Sequence, residues 1–461
     1  MNHLKRLMMP VLAFSCSAAA LIANVAHAGP QIEHWTLDNG AQVYWVQSDA
    51  LPILDVSIAF DAGKSRDPEG KASLAAQAAM MNDKGILAGV DATKEPAMNE
   101  NQITDAWLDL GAIFNASAGR DEYGYSLRTL TYPDVMPQAI TLASRIIASP
   151  SFPQDVLERD QARMVAALRE SLTQPAPVAS RAFFERVYSG HPYGRQVQEK
   201  SIRAVTVADL KDFHARYVLP CRARVSIVGD VTREQASNIA AQLLGRLPQG
   251  KNCPALPEVA KVSALTQAVS ENIPFNAVQA QIYIGQPGIK RSDPDFITLV
   301  VANHILGGSG FSSKLTQEVR EKRGLTYGIY SSFSPGAQAG AFTINVTTRP
   351  DQAGQALKVS LDVLKDFVEN GPTEQELATA KANLLGGFPL MFDSNEKLLG
   401  QVANIARNGL PLDYLDKWPL LVEAVTVEQI KAAMQRVIQP DRLVTVVLGA
   451  DSSVKEVSQE Q

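Results

Sequence analysis

A chain of 461 residues is too long for one ordinary core, so two or more domains are expected. Its 46% hydrophobic and 20% charged residues suit a soluble globular protein, and a net charge of −5 argues against a nucleic-acid partner.

At the start, Lys5 and Arg6 precede an apolar run, 7–25, that ends in Ala26-His27-Ala28. This pattern predicts a secretory signal peptide over 1–28, cleaved between Ala28 and Gly29, and so a bacterial periplasmic protein. The competing readings are a short membrane anchor and a lipoprotein at Cys16. Ala-Phe-Ser-Cys is a poor lipoprotein signal and leaves a very short apolar region. Cleavage would remove two of 43 basic residues and none of 48 acidic ones, giving −7. It would leave Cys221 and Cys253, which an oxidising compartment allows to pair without making a disulfide scaffold. No later segment has the length and apolarity of a stable membrane span.

Strands are predicted at 42–46 and 53–60, the second with Val56, Ile58 and Phe60 on one face and Ser57 and Ala59 on the other. A turn, Asp67-Pro68-Glu69-Gly70, leads into an alanine-rich helix over 71–83. A helix at 101–110 precedes paired strands at 111–119 and 123–132, then helices at 136–147 and 155–172. TQPAP, 173–177, reads as a polar loop, and 187–195 as a Gly/Pro-punctuated segment before another helix and strand.

From Ala204 the chain repeats itself. AVTVADLKDFHARYVLPCRARVSIVGD, from Ala204, aligns without a gap to AVTVEQIKAAMQRVIQPDRLVTVVLGA, from Ala424, an offset of 220 residues. Both read as turn, helix, Pro and buried strand. Weaker echoes pair Arg66-Asp67-Pro68 with Arg291-Ser292-Asp293-Pro294, and 155–172 with 373–385. Such a register implies duplication: an α+β chain in two-layer units, helices covering one face of each mixed sheet. The halves would be 29–253 and 266–461, joined by a Pro-containing linker at 254–265.

The element order, the duplication and the segment LTQEVREKRGLTYGIYSSF together resemble the insulinase-like, or M16, zinc peptidases. The resemblance covers essentially the whole mature chain. It implies duplicated two-layer α/β sandwich domains of the LuxS/MPP-like metallohydrolase type, two per chain, with a peptide-sized chamber closed by two chains. In active members the helix after the turn carries His-x-x-Glu-His, its imidazoles holding zinc and its glutamate activating water. The matching residues here are Ala76, Gln77, Ala78, Ala79 and Met80. The third ligand, a glutamate in the family, falls at Ala167, and its supporting acid at Asp160. No ligand remains, so the expectation is no metal in this chain. His34, His191, His214 and His304 show no close pair at ligand spacing.

The resemblance also gives roles to Arg320 and Tyr327, seven residues apart, which in the family hold the substrate backbone and stabilise the oxyanion. Read alone, Arg320 is a helix-surface arginine, Tyr327 a strand core residue, and Arg323 structural or at the surface. Gly307, Gly308, Ser309 and Gly310 read as a flexible bend, not a phosphate loop. Asn115, Ala116 and Ser117, within 114–119, are candidate peptide-binding positions on a sheet edge, or a plain core strand.

These features imply a chain that is not a peptidase alone. It would be the non-catalytic subunit of a heterodimeric metalloendopeptidase, lending Arg320 and Tyr327 to a homologous partner that holds Zn²⁺ and cleaves unfolded peptides. The alternative is a non-enzymatic assembly or peptide-binding protein of the same fold.

Overall fold

The computed structural model describes residues 29–89, 95–250 and 252–451; the expected leader, 1–28, lies outside them. Strands β1 (Glu33–Thr36), β2 (Gln42–Gln47) and β3 (Ile53–Asp61) open the chain, followed by helix α1 (Leu74–Met81). A small ribbon, β4 (Gly85–Ile86) with β5 (Met98–Asn99), leads to α2 (Glu100–Leu110), β6 (Ile113–Ala118) and β7 (Glu122–Leu130). Helices α3 (Met136–Ala148), α4 (Gln154–Ser171), α5 (Pro175–Val187), α6 (Glu199–Arg203) and α7 (Val207–Tyr217) come next, then β8 (Arg224–Gly229) and α8 (Arg233–Leu244).

The later part runs β9 (Val269–Ile273), β10 (Ala280–Pro287), α9 (Phe296–Asn303), β11 (Gly328–Phe333) and β12 (Ala341–Thr348). It ends with α10 (Ala353–Asn370), α11 (Glu374–Gly387), α12 (Asn395–Asn408), α13 (Tyr414–Glu423), α14 (Val427–Val437) and β13 (Val444–Leu448).

The strands form two mixed sheets, in the orders β1-β2-β8-β3-β7-β6 and β11-β12-β10-β13-β9. The shared pattern is one parallel pair, β2 with β8 or β9 with β13, beside a run of antiparallel ones. The repeat in sequence is a repeat in structure. Thr206 caps α7 in a reciprocal capping box with Asp209, and Thr426 caps α14 the same way with Gln429. In both copies a one-turn helix beginning at proline, Pro220 or Pro440, then feeds the strand.

Helices α1, α3, α7 and α8 cover one face of the first sheet, over Val43, Trp45, Val56, Ile58, Phe60, Val225 and Ile227. The opposite face is covered too, which alternation in a single strand does not reveal. Tyr44, Val46 and Val228 point the other way and meet Leu398, Val402, Ile405 and Ala406 of α12, a helix from the later half. Reciprocally, α5 from the first half lays Ala179, Phe183 and Val187 on Val444, Val446 and Leu448 of the second sheet. The two exchanged helices start 220 residues apart, the offset of the repeat. Each adds an ion pair to the sheet it covers: Arg407 to Glu122 at 2.6 Å and Arg186 to Glu271 at 2.9 Å.

The fold class is thus the expected α+β, with the exchange adding cover to the second sheet faces. Helix α5 corrects the loop reading of 173–177. Pro175 stands at its first turn, where a missing N–H costs nothing, so the loop shrinks to the residues before it. Helix α1 begins at Leu74 rather than at 71, because Ser73 is held at φ +121° and breaks the first turn.

Cys221 and Cys253 form a disulfide, with Cα atoms 5.8 Å apart, at the entry to 254–265. That segment is pinned from both sides. Arg66 donates to Pro257 O at 2.7 Å, His191 Nε2 to Ala260 O at 2.7 Å, and Gln338 Nε2 to Val259 O at 3.3 Å.

Because each half completes the other's core, unfolding should be a single cooperative transition. Phe183→Ala, which empties a fully buried site on α5, should cost about 3–5 kcal/mol and shift that whole transition. Scanning calorimetry checks this; two resolved transitions with only one displaced would contradict it.

Candidate functional site

Residues 67–82 keep a rigid frame. The Asp67 carboxylate accepts from the Ser73 N–H at 2.8 Å and the Ala75 N–H at 2.9 Å, fixing the start of α1. Burial pushes this carboxyl up to about 6 against the pull of those bonds. Helix α1 is tied to α4 through amides. Gln161 Nε2 donates to Gln77 Oε1 at 3.0 Å, Ile202 O at 3.0 Å and Val205 O at 2.8 Å, and Gln77 Nε2 donates to Ser73 Oγ and Ile202 O. Asn82 closes the other end, donating to Ile146 O and accepting from Tyr125 Oη at 2.7 Å. None of these buried polar contacts followed from propensity alone.

Ala76 and Met80 are half-buried on α1 and Ala79 is buried beside them. On α4, Asp160, Arg163 and Ala167 recur at helical spacing, with Ala167 exposed. Asp160 is engaged by Arg159 at 2.8 Å and Arg163 at 3.1 Å, which hold its carboxyl below the usual range, Arg159 foremost. Arg159 also reaches Glu100, itself paired with Lys84. Ala76, Ala79, Met80 and Ala167 bring no nitrogen or oxygen side-chain donor, so these residues do not fit a zinc ion. Among the described residues no group of three His, Cys, Asp or Glu is placed to hold a metal. His191 and His214 are spent on backbone carbonyls, Ala260 O and Ile147 O, and His34 packs on Tyr44.

Arg320 lies in a π-helical turn, Thr316–Glu321, a geometry that sequence pattern does not announce. Gly324, at φ +62°, turns the chain, and its N–H returns to Arg320 O at 2.8 Å. Leu325 is buried and Thr326 Oγ1 donates to Thr347 O at 2.6 Å, anchoring the strand entry. Between them Tyr327 is pushed outward, 87% exposed, which excludes a strand core role. The Arg320 guanidinium lies 6.0 Å from the Tyr327 ring centroid and 4.6 Å from that of Phe311, a 69%-exposed aromatic in the glycine-rich bend. Phe311 was missed in sequence, although a bulky apolar residue within Gly307–Ser313 is itself a signal. Arg323 and Lys322 both bind Glu318, as surface residues do.

The bend is more structured than expected: 304–308 continue α9 as a π-helical turn. Gly307 is required there, since a Cβ would meet Ser331 N at 2.6 Å. Asn115, Ala116 and Ser117 lie on β6, an edge strand of the first sheet, with Asn115 and Ser117 exposed. Among the described residues no hydrogen bond or ion pair joins Arg320 or Tyr327 to 76–80 or Ala167.

A family model described as the peptidase M16 inactive domain matches residues 204–384, which include Arg320 and Tyr327. The chain is similar to a crystal structure of a peptidase M16 inactive domain from Pseudomonas fluorescens. That match has 34% identity and a TM-score of 0.84 and covers 91% of this chain and 98% of that one. The chain belongs to the M16 peptidase family. Another relative, the Helicobacter pylori protein called non-peptidase homolog YmxG, is 28% identical over 383 residues, 81% of this chain and 83% of its own. The M16 fold is shared with the Escherichia coli periplasmic protease PqqL at 19% identity and TM-score 0.75, over 92% of this chain and 46% of PqqL.

This M16 chain should therefore separate stability from surface chemistry. Gln161→Leu, which strands buried partners, should cost about 1–3 kcal/mol, whereas Tyr327→Ala should stay within about 0.5 kcal/mol of wild type. Urea unfolding of both variants measures the contrast.

Proposed function

We propose that this chain is the non-catalytic subunit of a two-chain periplasmic M16 peptidase. In this reading 1–28 are removed on export, and 29–253 and 266–461, joined by 254–265, form half of a chamber. A homologous partner supplies Zn²⁺ and the general base. This chain supplies Arg320 and Tyr327, the first a charged clamp on the peptide backbone, the second a phenolic donor to the developing oxyanion. An unfolded peptide adds to the edge strand at Asn115, Ala116 and Ser117, or to its counterpart in the partner.

The observation that carries the reading is the outward pair: Tyr327 exposed beside Arg320 and, among the described residues, no bond from either to the positions that the resemblance assigns to zinc. Exposed donors on a chain whose described residues include no group of three metal-ligating side chains are suited to serve in trans. That this chain corresponds in length to about half of PqqL supports two such halves per chamber. The name of the Helicobacter pylori relative favours a second reading, a peptide-binding or assembly protein with no catalytic share.

The discriminating experiment measures zinc content and cleavage of an unfolded peptide for this chain, the zinc-bearing chain and their mixture. Only the mixture should reach full turnover, and Tyr327→Phe should lower its kcat roughly 10²-fold with assembly unchanged by gel filtration. Chelator-sensitive cleavage by this chain alone would overturn the proposal. An unaffected Tyr327→Phe mixture would leave the binding-protein reading standing.

A further inference from the structure

A cavity of about 390 Å³ lies where α9, α11, α12 and α13 converge, within the roughly 300–1,000 Å³ of small-ligand sites. Its apolar wall is the stacked pair Phe388 and Trp418, ring centroids 4.6 Å apart and planes within 6° of parallel. Facing it is Arg291, whose guanidinium lies 3.7 Å from the Phe296 ring centroid and donates to Tyr414 Oη at 3.2 Å. The nearby carboxylates do not neutralise Arg291: Asp293 and Asp295 both bind Arg436, at 2.6 and 2.8 Å. Among the described residues Arg291 has no carboxylate partner. Its planar fork is oriented by an aromatic face and a phenol, and its charge is left for something else.

Two further groups narrow what that is. Gln401, half-buried, and Asn383, at the mouth, line the cavity, and neither side chain has a hydrogen bond among the described residues. Amides offer a donor and an acceptor each, which matches a peptide backbone. A simple alkyl carboxylate would satisfy the arginine and cover the amides with hydrocarbon, leaving their hydrogen bonds unmade.

We infer that this cavity binds the C-terminal end of a short peptide. The free carboxylate pairs with Arg291, the last side chain, apolar, rests on Phe388 and Trp418, and the preceding peptide bonds meet Gln401 and Asn383. The site shares no residue with Arg320 and Tyr327 and stands whether or not those residues serve a partner's chemistry.

Calorimetric titration of the full mature chain with Ala-Ala-Phe tests this, against the same peptide C-terminally amidated and against dodecanoate. The free acid should bind saturably, and at least about tenfold more tightly than the amide or dodecanoate. Arg291→Gln should lose about tenfold in affinity, and Arg291→Lys should recover only part, because an ammonium lacks the fork. Gln401→Leu, a change on a half-exposed helix face, should weaken the peptide and leave dodecanoate unchanged, which serves if Arg291→Gln fails to fold. Equal binding of acid and amide, tighter binding of dodecanoate, or no binding at all would overturn the inference.

Discussion

A β-sheet has two faces, and the helices following each sheet in sequence bury one of them. The other face, rich in Val, Tyr and Leu, would remain an apolar surface if either half stood alone. The chain resolves this by exchange: α12 crosses to the first sheet and α5 to the second. That reciprocal cover joins the two halves. It sets the two halves against one another and clamps the segment 254–265 between them. It also creates the junction of α12 with α11 and α13, where the Arg291 cavity lies.

The frame around helix α1 rests on contacts within the first half rather than on the exchange. Helix α1 is held by Asp67, by the Gln77–Gln161 amides and by Asn82, none of which is a position that the resemblance assigns to zinc. Alanine at 76, 79 and 167 carries no side-chain polar group that would need a partner, and Met80 is only half-buried. On the other half, the features that aim Arg320 and Tyr327 are local and specific: the π-helical turn, Gly324 at positive φ and the Thr326 anchor. A frame kept by buried carboxylate and amide bonds and a pair kept by local backbone geometry have different physical costs.

Much of the fold was legible in the sequence because its signals are local. The capping residues Thr206 and Thr426, the prolines at 220 and 440 and the alternating apolar strands each report on their own few residues, and the offset of 220 ties them together. The exchange was not legible, since the partner face of α5 or α12 is specified by residues far along the chain. Helix α5 was hidden for a nearer reason: proline and polar residues at its start look like a loop until the helix that follows is seen. At the candidate site, resemblance named the positions. The exposure of Tyr327, the contact of Arg320 with Phe311 and the amide bonds of Gln77 and Gln161 depend on tertiary contacts that no spacing rule encodes.

In the proposed two-chain assembly Tyr327 faces a different polypeptide. A photo-crosslinking phenylalanine derivative placed at Tyr327 in the assembled complex tests it directly, with the adduct mapped by mass spectrometry. The account requires adducts in the zinc-bearing chain, close to its His-x-x-Glu-His helix; adducts confined to this chain or to copies of it would contradict the account.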